Sequence, residues 1–175
     1  MPLRRYKWLI NLRWIAAGGV LLAGFLVHLV FKLPIPVLPV FLIGILLLLS
    51  NILYLYFYNN ISADPETAFP KHIRLVIIQI ISDLILLTLL LHYSGGVENP
   101  FMIYYIFHMM LAGILLPRKV SLLLTSFALS LVGLMAIGES AGWFPHYALQ
   151  GFLAVCFYDN PVYLIGTGFV FVTTS

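Results

Sequence analysis

Charged side chains are scarce in this sequence. Aspartate, glutamate, lysine and arginine make up 9% of its 175 residues, whereas hydrophobic residues make up 62%. A soluble domain is roughly half apolar and a quarter charged, so the composition excludes an ordinary soluble domain. We predict a membrane protein, in which most side chains face lipid or other apolar side chains.

Cysteine is nearly absent as well, since Cys156 is the only one. A single cysteine excludes an intramolecular disulfide and cannot by itself form a thiolate metal site. The sequence also lacks a glycine-rich phosphate loop, a metal-spaced cluster of histidines and cysteines, and a nucleophile beside an obvious base. We therefore expect no metal site and no catalysis in this segment. The net charge of +3 is explained by basic loops at an anionic leaflet, so no nucleic-acid partner is expected.

Apolar runs divide the chain into six predicted transmembrane helices. A helix needs about 20 apolar residues to cross a hydrocarbon core of roughly 30 Å, and turns rich in proline, glycine or polar residues separate the runs. The predicted fold is an all-α polytopic membrane bundle that forms one domain over residues 1–175. Its spans are placed at about 14–31, 37–58, 73–93, 101–116, 120–138 and 162–175. The apolar stretch 148–157 is too short to span, and we expect it to be interfacial or re-entrant.

The basic residues lie almost entirely on one side of this arrangement. Lys32 falls on the other side, and the remaining eight flank alternate segment ends: Arg4, Arg5, Lys7, Arg13, Lys71, Arg74, Arg118 and Lys119. The positive-inside rule then predicts a cytoplasmic amino terminus. Arg13, just before the first predicted span, is expected to snorkel to the inner interface.

The last apolar run is short for a membrane crossing. About 14 residues rise roughly 21 Å at 1.5 Å per residue, and unpaired carbonyls at a helix end are costly in lipid. We therefore expect a truncated sixth helix and a chain that continues past Ser175 into the cytoplasm, where an output domain would lie.

We single out four polar side chains in the predicted third and fourth spans as candidate functional groups. Asp83 lies near the middle of the third span, where an ionised carboxylate costs at least about 2.5 kcal/mol, and Gln79 lies on the same helical face. Tyr104 and His108 share a face of the fourth span. Counted from the inner ends of this hairpin, Asp83 and His108 are each about 12 Å deep. We predict that they lie at the same level.

The sequence allows several interpretations of these groups. The carboxylate and the imidazole could bind a ligand head group or take up a proton when the redox state of a ligand changes. They could instead form an interhelical hydrogen bond, which is typically worth about 0.6 kcal/mol in membranes. His28 and His92, both near the outer ends of their spans, leave a haem between helices as a further interpretation.

The turn between the third and fourth spans carries a more specific pattern. It reads Gly95-Gly96-Val97-Glu98-Asn99-Pro100-Phe101, with Gln79-x-x-x-Asp83 before it and His108 after it. This pattern resembles the membrane-embedded sensor region of RegB/PrrB-type histidine kinases, whose outer turn carries a Gly-Gly-x-x-Asn-Pro-Phe motif. Further matches to that family are Arg13-Trp14-Ile15-Ala16, Gly151-Phe152, Tyr158-x-Asn160 and Tyr163.

The resemblance implies the sensing domain of a two-component sensor histidine kinase in a bacterial inner membrane. It implies a homodimer, a cognate response regulator as partner, and a cytoplasmic kinase domain after residue 175, which alone would bind ATP. The implied ligand is a quinone, either ubiquinone or menaquinone.

The residues implied to bind the quinone are those of the turn: Gly95, Gly96, Asn99, Pro100 and Phe101. Glycines let a ring approach the backbone, an amide can hydrogen-bond a quinone carbonyl, and a phenyl ring can stack on it. The same residues also suit a tight turn followed by a helix start. Two other functions remain open, namely a haem- or quinone-binding anchor subunit of a respiratory complex and a small transporter built around Asp83 and His108.

Overall fold

Every regular element that the structure describes is a helix, which confirms the predicted all-α fold. The structure is a computed structural model and describes residues 2–31, 36–61, 65–147 and 161–174. Its α-helices are α1 (Pro2–Leu26), α2 (Val37–Asn59), α3 (Pro65–His92), α4 (Ile103–Leu115), α5 (Arg118–Ser140) and α6 (Pro161–Thr174). A π-helical turn, Val27–Phe31, continues α1. The predicted interfacial stretch 148–157, Cys156 and the family-like residues 151, 152, 158 and 160 lie outside the described residues.

Four of the described helices contain stretches long and apolar enough to cross a membrane. These stretches are Trp8–Leu29, Val37–Asn59, Pro70–His92 and Arg118–Ser140, and a shorter apolar helix covers Pro100–Leu115. Large aliphatic side chains such as Ile15, Leu38 and Leu123 are about 70% exposed on the bundle surface. Because an apolar surface of this extent is unfavourable in water, these side chains contact lipid.

Prolines define where the helices begin. Pro65 and Pro161 are the first residues of α3 and α6, and Pro36 and Pro117 directly precede α2 and α5. Proline is favourable in the first turn of a helix, where its missing N–H would have no intrahelical partner. As a result α3 begins eight residues before the predicted span at 73, and α1 likewise begins well before position 14.

A turn with left-handed backbone joins α3 to α4. Gly95 and Gly96 have φ angles of 115° and 55°, which glycine adopts at little cost. Two short 3₁₀ turns follow, Gly96–Glu98 and Pro100–Met102. We call the end of the bundle that carries this turn the turn end.

Helix α3 lies at the centre of the bundle and packs against α1, α2, α4 and α5. The core between these helices includes Ile80, Leu84, Tyr105, Ala112 and Ala128, all of which are at most 1% exposed. Polar residues on the inward faces of α3 are therefore surrounded by protein, and their partners must come from the neighbouring helices.

Candidate functional site

A buried ion pair joins α1 to α3 in the apolar interior. Arg13 and Asp83 are 5% and 6% exposed, and Nη1 of Arg13 donates to Oδ1 of Asp83. Nη2 of Arg13 donates to the hydroxyl of Ser50 on α2 at 2.6 Å. The guanidinium also lies over the ring of Tyr54, 4.8 Å from its centroid, a favourable cation–π geometry. One arginine thus links three helices.

The expectation that Arg13 snorkels to the interface was wrong. Because α1 begins at Pro2, Arg13 lies about three turns inside the helix and its side chain turns into the bundle. A sequence signal for this contact did exist. An intramembrane carboxylate such as Asp83 calls for a cationic partner, and Arg13 is the basic residue closest to the first apolar run.

His108 of α4 lies beside the same carboxylate, as the depth count predicts. Its Nε2 is 3.9 Å from Oδ2 of Asp83, and its Nδ1 is 2.7 Å from the backbone oxygen of Tyr104. A carbonyl only accepts hydrogen bonds, so Nδ1 carries the hydrogen of the neutral ring. Nε2 then carries a proton only in the imidazolium form. For an ionised Asp83, this contact is therefore attractive only when His108 is protonated.

The surroundings of the ion pair contain hydrogen-bonding groups that are buried and unused. Among the described residues, no hydrogen-bond partner lies near Nε of Arg13, Nε2 of Gln79 or Oδ1 of Asn51. Gln79 and Asn51 are 1% and 0% exposed. A buried group left unsatisfied costs about 1–3 kcal/mol. We call Arg13, Ser50, Gln79, Asp83 and His108 the mid-membrane cluster, which is poised to bind a polar atom or to change its hydrogen bonds.

The turn motif has the geometry of a tight turn followed by a helix start. Nδ2 of Asn99 donates to the backbone oxygen of Ser94 at 2.6 Å and to its hydroxyl at 2.8 Å. Oδ1 of Asn99 accepts from the N–H of Phe101 at 2.9 Å, with Pro100 in the first position after this cap. Both amide hydrogens of Asn99 are thus used within the turn.

A carboxylate packs closely against the backbone at Gly96. A Cβ atom at this position would lie 2.0 Å from Oε2 of Glu139, so a larger residue fits only if the side chain of Glu139 shifts. Phe101 and Tyr104 are instead 51% and 48% exposed, and their ring centroids are 6.0 Å apart. Among the predicted ligand residues, the glycines and Asn99 are therefore used in building the turn, whereas Phe101 stays accessible, with Tyr104 beside it.

A second polar cluster at the turn end was missed by the sequence analysis. Glu139 of α5 is 3% exposed, and its two oxygens contact Nδ1 of His92 at 2.8 Å and Nδ1 of His146 at 2.9 Å. Nε2 of His146 lies 3.6 Å from Oε2 of Glu98, which is 6% exposed. We call His92, Glu98, Glu139 and His146 the turn-end cluster. Within the described part of the chain, no three such side chains are arranged to hold a metal ion.

The comparisons with known proteins give one match. Residues 3–165 match a family model described as the PilS-like transmembrane domain, a region with six transmembrane helices. The match extends from the first turn of α1 into α6 and includes both polar clusters. No curated protein and no solved structure matches the chain.

Proposed function

We propose that this chain, which belongs to the family of PilS-like transmembrane domains, detects a quinone or another small apolar ligand within the bilayer. The family makes it a multi-pass membrane sensing domain of a sensor histidine kinase. That assignment favours the sensor interpretation over a respiratory anchor subunit and a transporter. The proposal has three finer parts: the RegB/PrrB-like redox type, the cytoplasmic amino terminus, and quinone as the ligand.

The exposed aromatic pair of Phe101 and Tyr104 is the proposed contact surface for the ligand. A quinone ring is flat and apolar, and aromatic pairs are worth about 0.5–1.5 kcal/mol beyond their area burial. In this proposal Gly95, Gly96, Asn99 and Pro100 act mainly by building the turn that positions Phe101. This assignment combines the ligand interpretation of the motif with the hydrogen bonds of Asn99.

His108 connects this surface to the mid-membrane cluster, and this observation carries the proposal. The side chain of His108 is 18% exposed, it follows Tyr104 by one helical turn, and its Nε2 faces Asp83. A quinol carries two electrons more than a quinone and two protons more, one on each oxygen. A ligand whose oxygen lies near His108 would therefore favour one protonation state of the imidazole and change its attraction to Asp83.

For the sensor to respond, the quinone and the quinol need only differ in their relative affinities for two alternative packings of the helices. A ligand shifts such an equilibrium by its differential affinity, and a tenfold preference corresponds to about 1.4 kcal/mol. Because Arg13 links α1, α2 and α3, a change at Asp83 would be felt by three helices at once. In a homodimer in the bacterial inner membrane, this change would be passed to a kinase domain and its cognate response regulator.

Ligand binding to the purified protein in lipid nanodiscs tests the site. We expect short-chain ubiquinone or menaquinone analogues to bind, and Phe101→Ala to weaken binding by about tenfold. Phe25→Ala is the matched control, because Phe25 is exposed to a similar extent on α1, at 52%. His108→Gln should remove the difference in affinity between the quinone and quinol forms.

The outcomes separate the parts of the proposal. If Phe101→Ala bound the quinone analogues as tightly as the wild-type protein, the ligand site would not include Phe101. Absence of binding to both analogues would exclude quinone as the ligand. A Soret absorbance band in the purified protein would favour the haem-binding anchor function instead.

A further inference from the structure

His146 lies between two buried carboxylates. Its Nδ1 is 2.9 Å from Glu139 and its Nε2 is 3.6 Å from Glu98. A carboxylate accepts hydrogen bonds, and a neutral imidazole has one N–H and one bare nitrogen. Only the imidazolium form can direct an N–H at both carboxylates.

In the segments that form the turn-end cluster, histidine is the only residue type that can carry a positive charge beside these carboxylates. The sequence has no lysine or arginine between Arg74 and Arg118 or after Lys119. Glu98 and Glu139 are both nearly inaccessible to water, and a buried ionised carboxylate is costly unless it is paired. Among the side chains of these segments, a protonated histidine is therefore the cation that can pair with the carboxylates.

We propose that His92, Glu98, Glu139 and His146 form a proton-responsive contact that holds the turn end together at low pH and loosens as the pH rises. His146 is the responsive group. It is faced by Glu139 from α5, by Glu98 from the turn, and through the shared carboxylate of Glu139 by His92 from α3. Two tyrosines pack on His92, with ring centroids 5.1 Å away for Tyr93 and 5.5 Å away for Tyr147.

The electrostatics of His146 agree with this geometry. Burial by itself lowers the pKa of His146, but the hydrogen bond and charge of Glu139 and the charge of Glu98 outweigh it and raise the pKa above its usual value of 6.5. A histidine with a raised pKa in the folded state stabilises that state fully below about pH 6.5. This stabilisation is lost as the pH rises through the raised value.

The same turn contacts α6. The hydroxyl of Tyr163, in the first turn of α6, donates to the backbone oxygen of Val97 at 3.3 Å. Val97 directly precedes Glu98. Loosening the carboxylate contact would therefore also weaken the hydrogen bond that holds α6 to the turn. The inference needs no quinone and is independent of the ligand proposed above.

Histidine side-chain NMR of the isotope-labelled protein in nanodiscs, with EDTA in every buffer, tests the protonation directly. We expect His146, identified by the signal that His146→Gln removes, to titrate above pH 6.5. Glu98→Gln should move this midpoint downwards, since it removes one of the two facing charges. His28→Gln, at an exposed histidine on the π-helical turn, should leave it unchanged. A midpoint at or below 6.5, or one that Glu98→Gln does not move, would overturn the proposal.

Hydrogen exchange in α6 tests the consequence for the fold. After correction for the intrinsic rates, we expect protection of the second turn of α6, whose N–H groups bond to carbonyls of the first turn, to be about tenfold lower at pH 9 than at pH 6. The same measurement on His146→Gln should show little pH dependence, and on His28→Gln it should match the wild-type protein. Identical profiles for the wild-type protein and His146→Gln would contradict the coupling. Where His146→Gln folds poorly, glutamine variants of the other four histidines assign the His146 signal by elimination, and its titration in the wild-type protein stays decisive.

Discussion

Arg13 and Asp83 are 70 residues apart in the sequence and form a buried ion pair that joins α1 to α3. The second guanidinium nitrogen of Arg13 binds Ser50 of α2, and His108 of α4 approaches the other oxygen of Asp83. Four helices are thus joined through this ion pair and its neighbours. A change in charge at this point acts on the packing of most of the bundle.

Removing one partner of this pair should destabilise the protein strongly. Arg13→Met leaves the carboxylate of Asp83 buried without its main cation, and breaking a buried ion pair in this way costs about 3–5 kcal/mol. Replacing both partners, as in Arg13→Met with Asp83→Leu, removes the buried charge as well and should cost much less. The free energy of unfolding, measured by titration with SDS in mixed micelles, gives both values.

Arg74→Met provides the control for the loss of a positive charge, because Arg74 is an exposed arginine on α3. We expect it to change the free energy of unfolding by less than about 0.5 kcal/mol. If Arg13→Met were as mild as Arg74→Met, the ion pair would contribute little to the fold.

The features that the sequence predicts correctly depend on local patterns. Apolar runs determine the helices, and counting residues along a hairpin is enough to put Asp83 and His108 at one level, since one short turn joins their two helices. The partner of Asp83 could not be found by this count, because Arg13 reaches it from a helix that is remote in the chain. The direction in which the side chain of Arg13 points depends on how α1 is oriented about its own axis relative to α3.

The turn motif illustrates a different difficulty. A glycine at position 96 is equally suitable for a ligand ring and for a protein carboxylate, and the sequence does not distinguish them. Glu139 comes from the end of α5, 43 positions later in the numbering, and it is this packing that brings its carboxylate against Gly96. The turn-end cluster was missed for the same reason.

The close approach of Glu139 to Gly96 predicts an unusually large effect for a small substitution. Gly96→Ala forces alanine into a left-handed conformation, which costs about 1–2 kcal/mol, and also introduces a Cβ against the carboxylate of Glu139, a form of overpacking that costs roughly 1–3 kcal/mol more. Gly142→Ala separates the two costs, because Gly142 has φ +73° and nothing lies within 4 Å of its Cβ position. SDS unfolding of both variants measures the difference, and equal losses would show that the carboxylate is not held against Gly96.

A hydrogen bond in the core between α3 and α4 allows a direct measurement of side-chain coupling. The hydroxyls of Thr88 and Tyr105 are 2.5 Å apart, and Thr88 also donates its single proton to the backbone oxygen of Leu84 at 2.6 Å. Tyr105 must then be the donor to Thr88, because a carbonyl oxygen only accepts. Tyr105→Phe removes this donor and leaves Thr88 bonded to Leu84.

A double-mutant cycle of Tyr105→Phe and Thr88→Val should therefore give a coupling energy of about 0.6 kcal/mol and at most about 1.7 kcal/mol, the range found for hydrogen bonds between membrane helices. The matched cycle replaces Tyr105→Phe by Tyr104→Phe, since the neighbouring Tyr104 is exposed, and should give a coupling near zero. The free energies of unfolding of the single and double variants in mixed micelles supply both cycles. Additive effects in the first cycle would mean that the two hydroxyls do not interact. A coupling in the second cycle as large as in the first would trace the effect to Thr88 alone rather than to its bond with Tyr105.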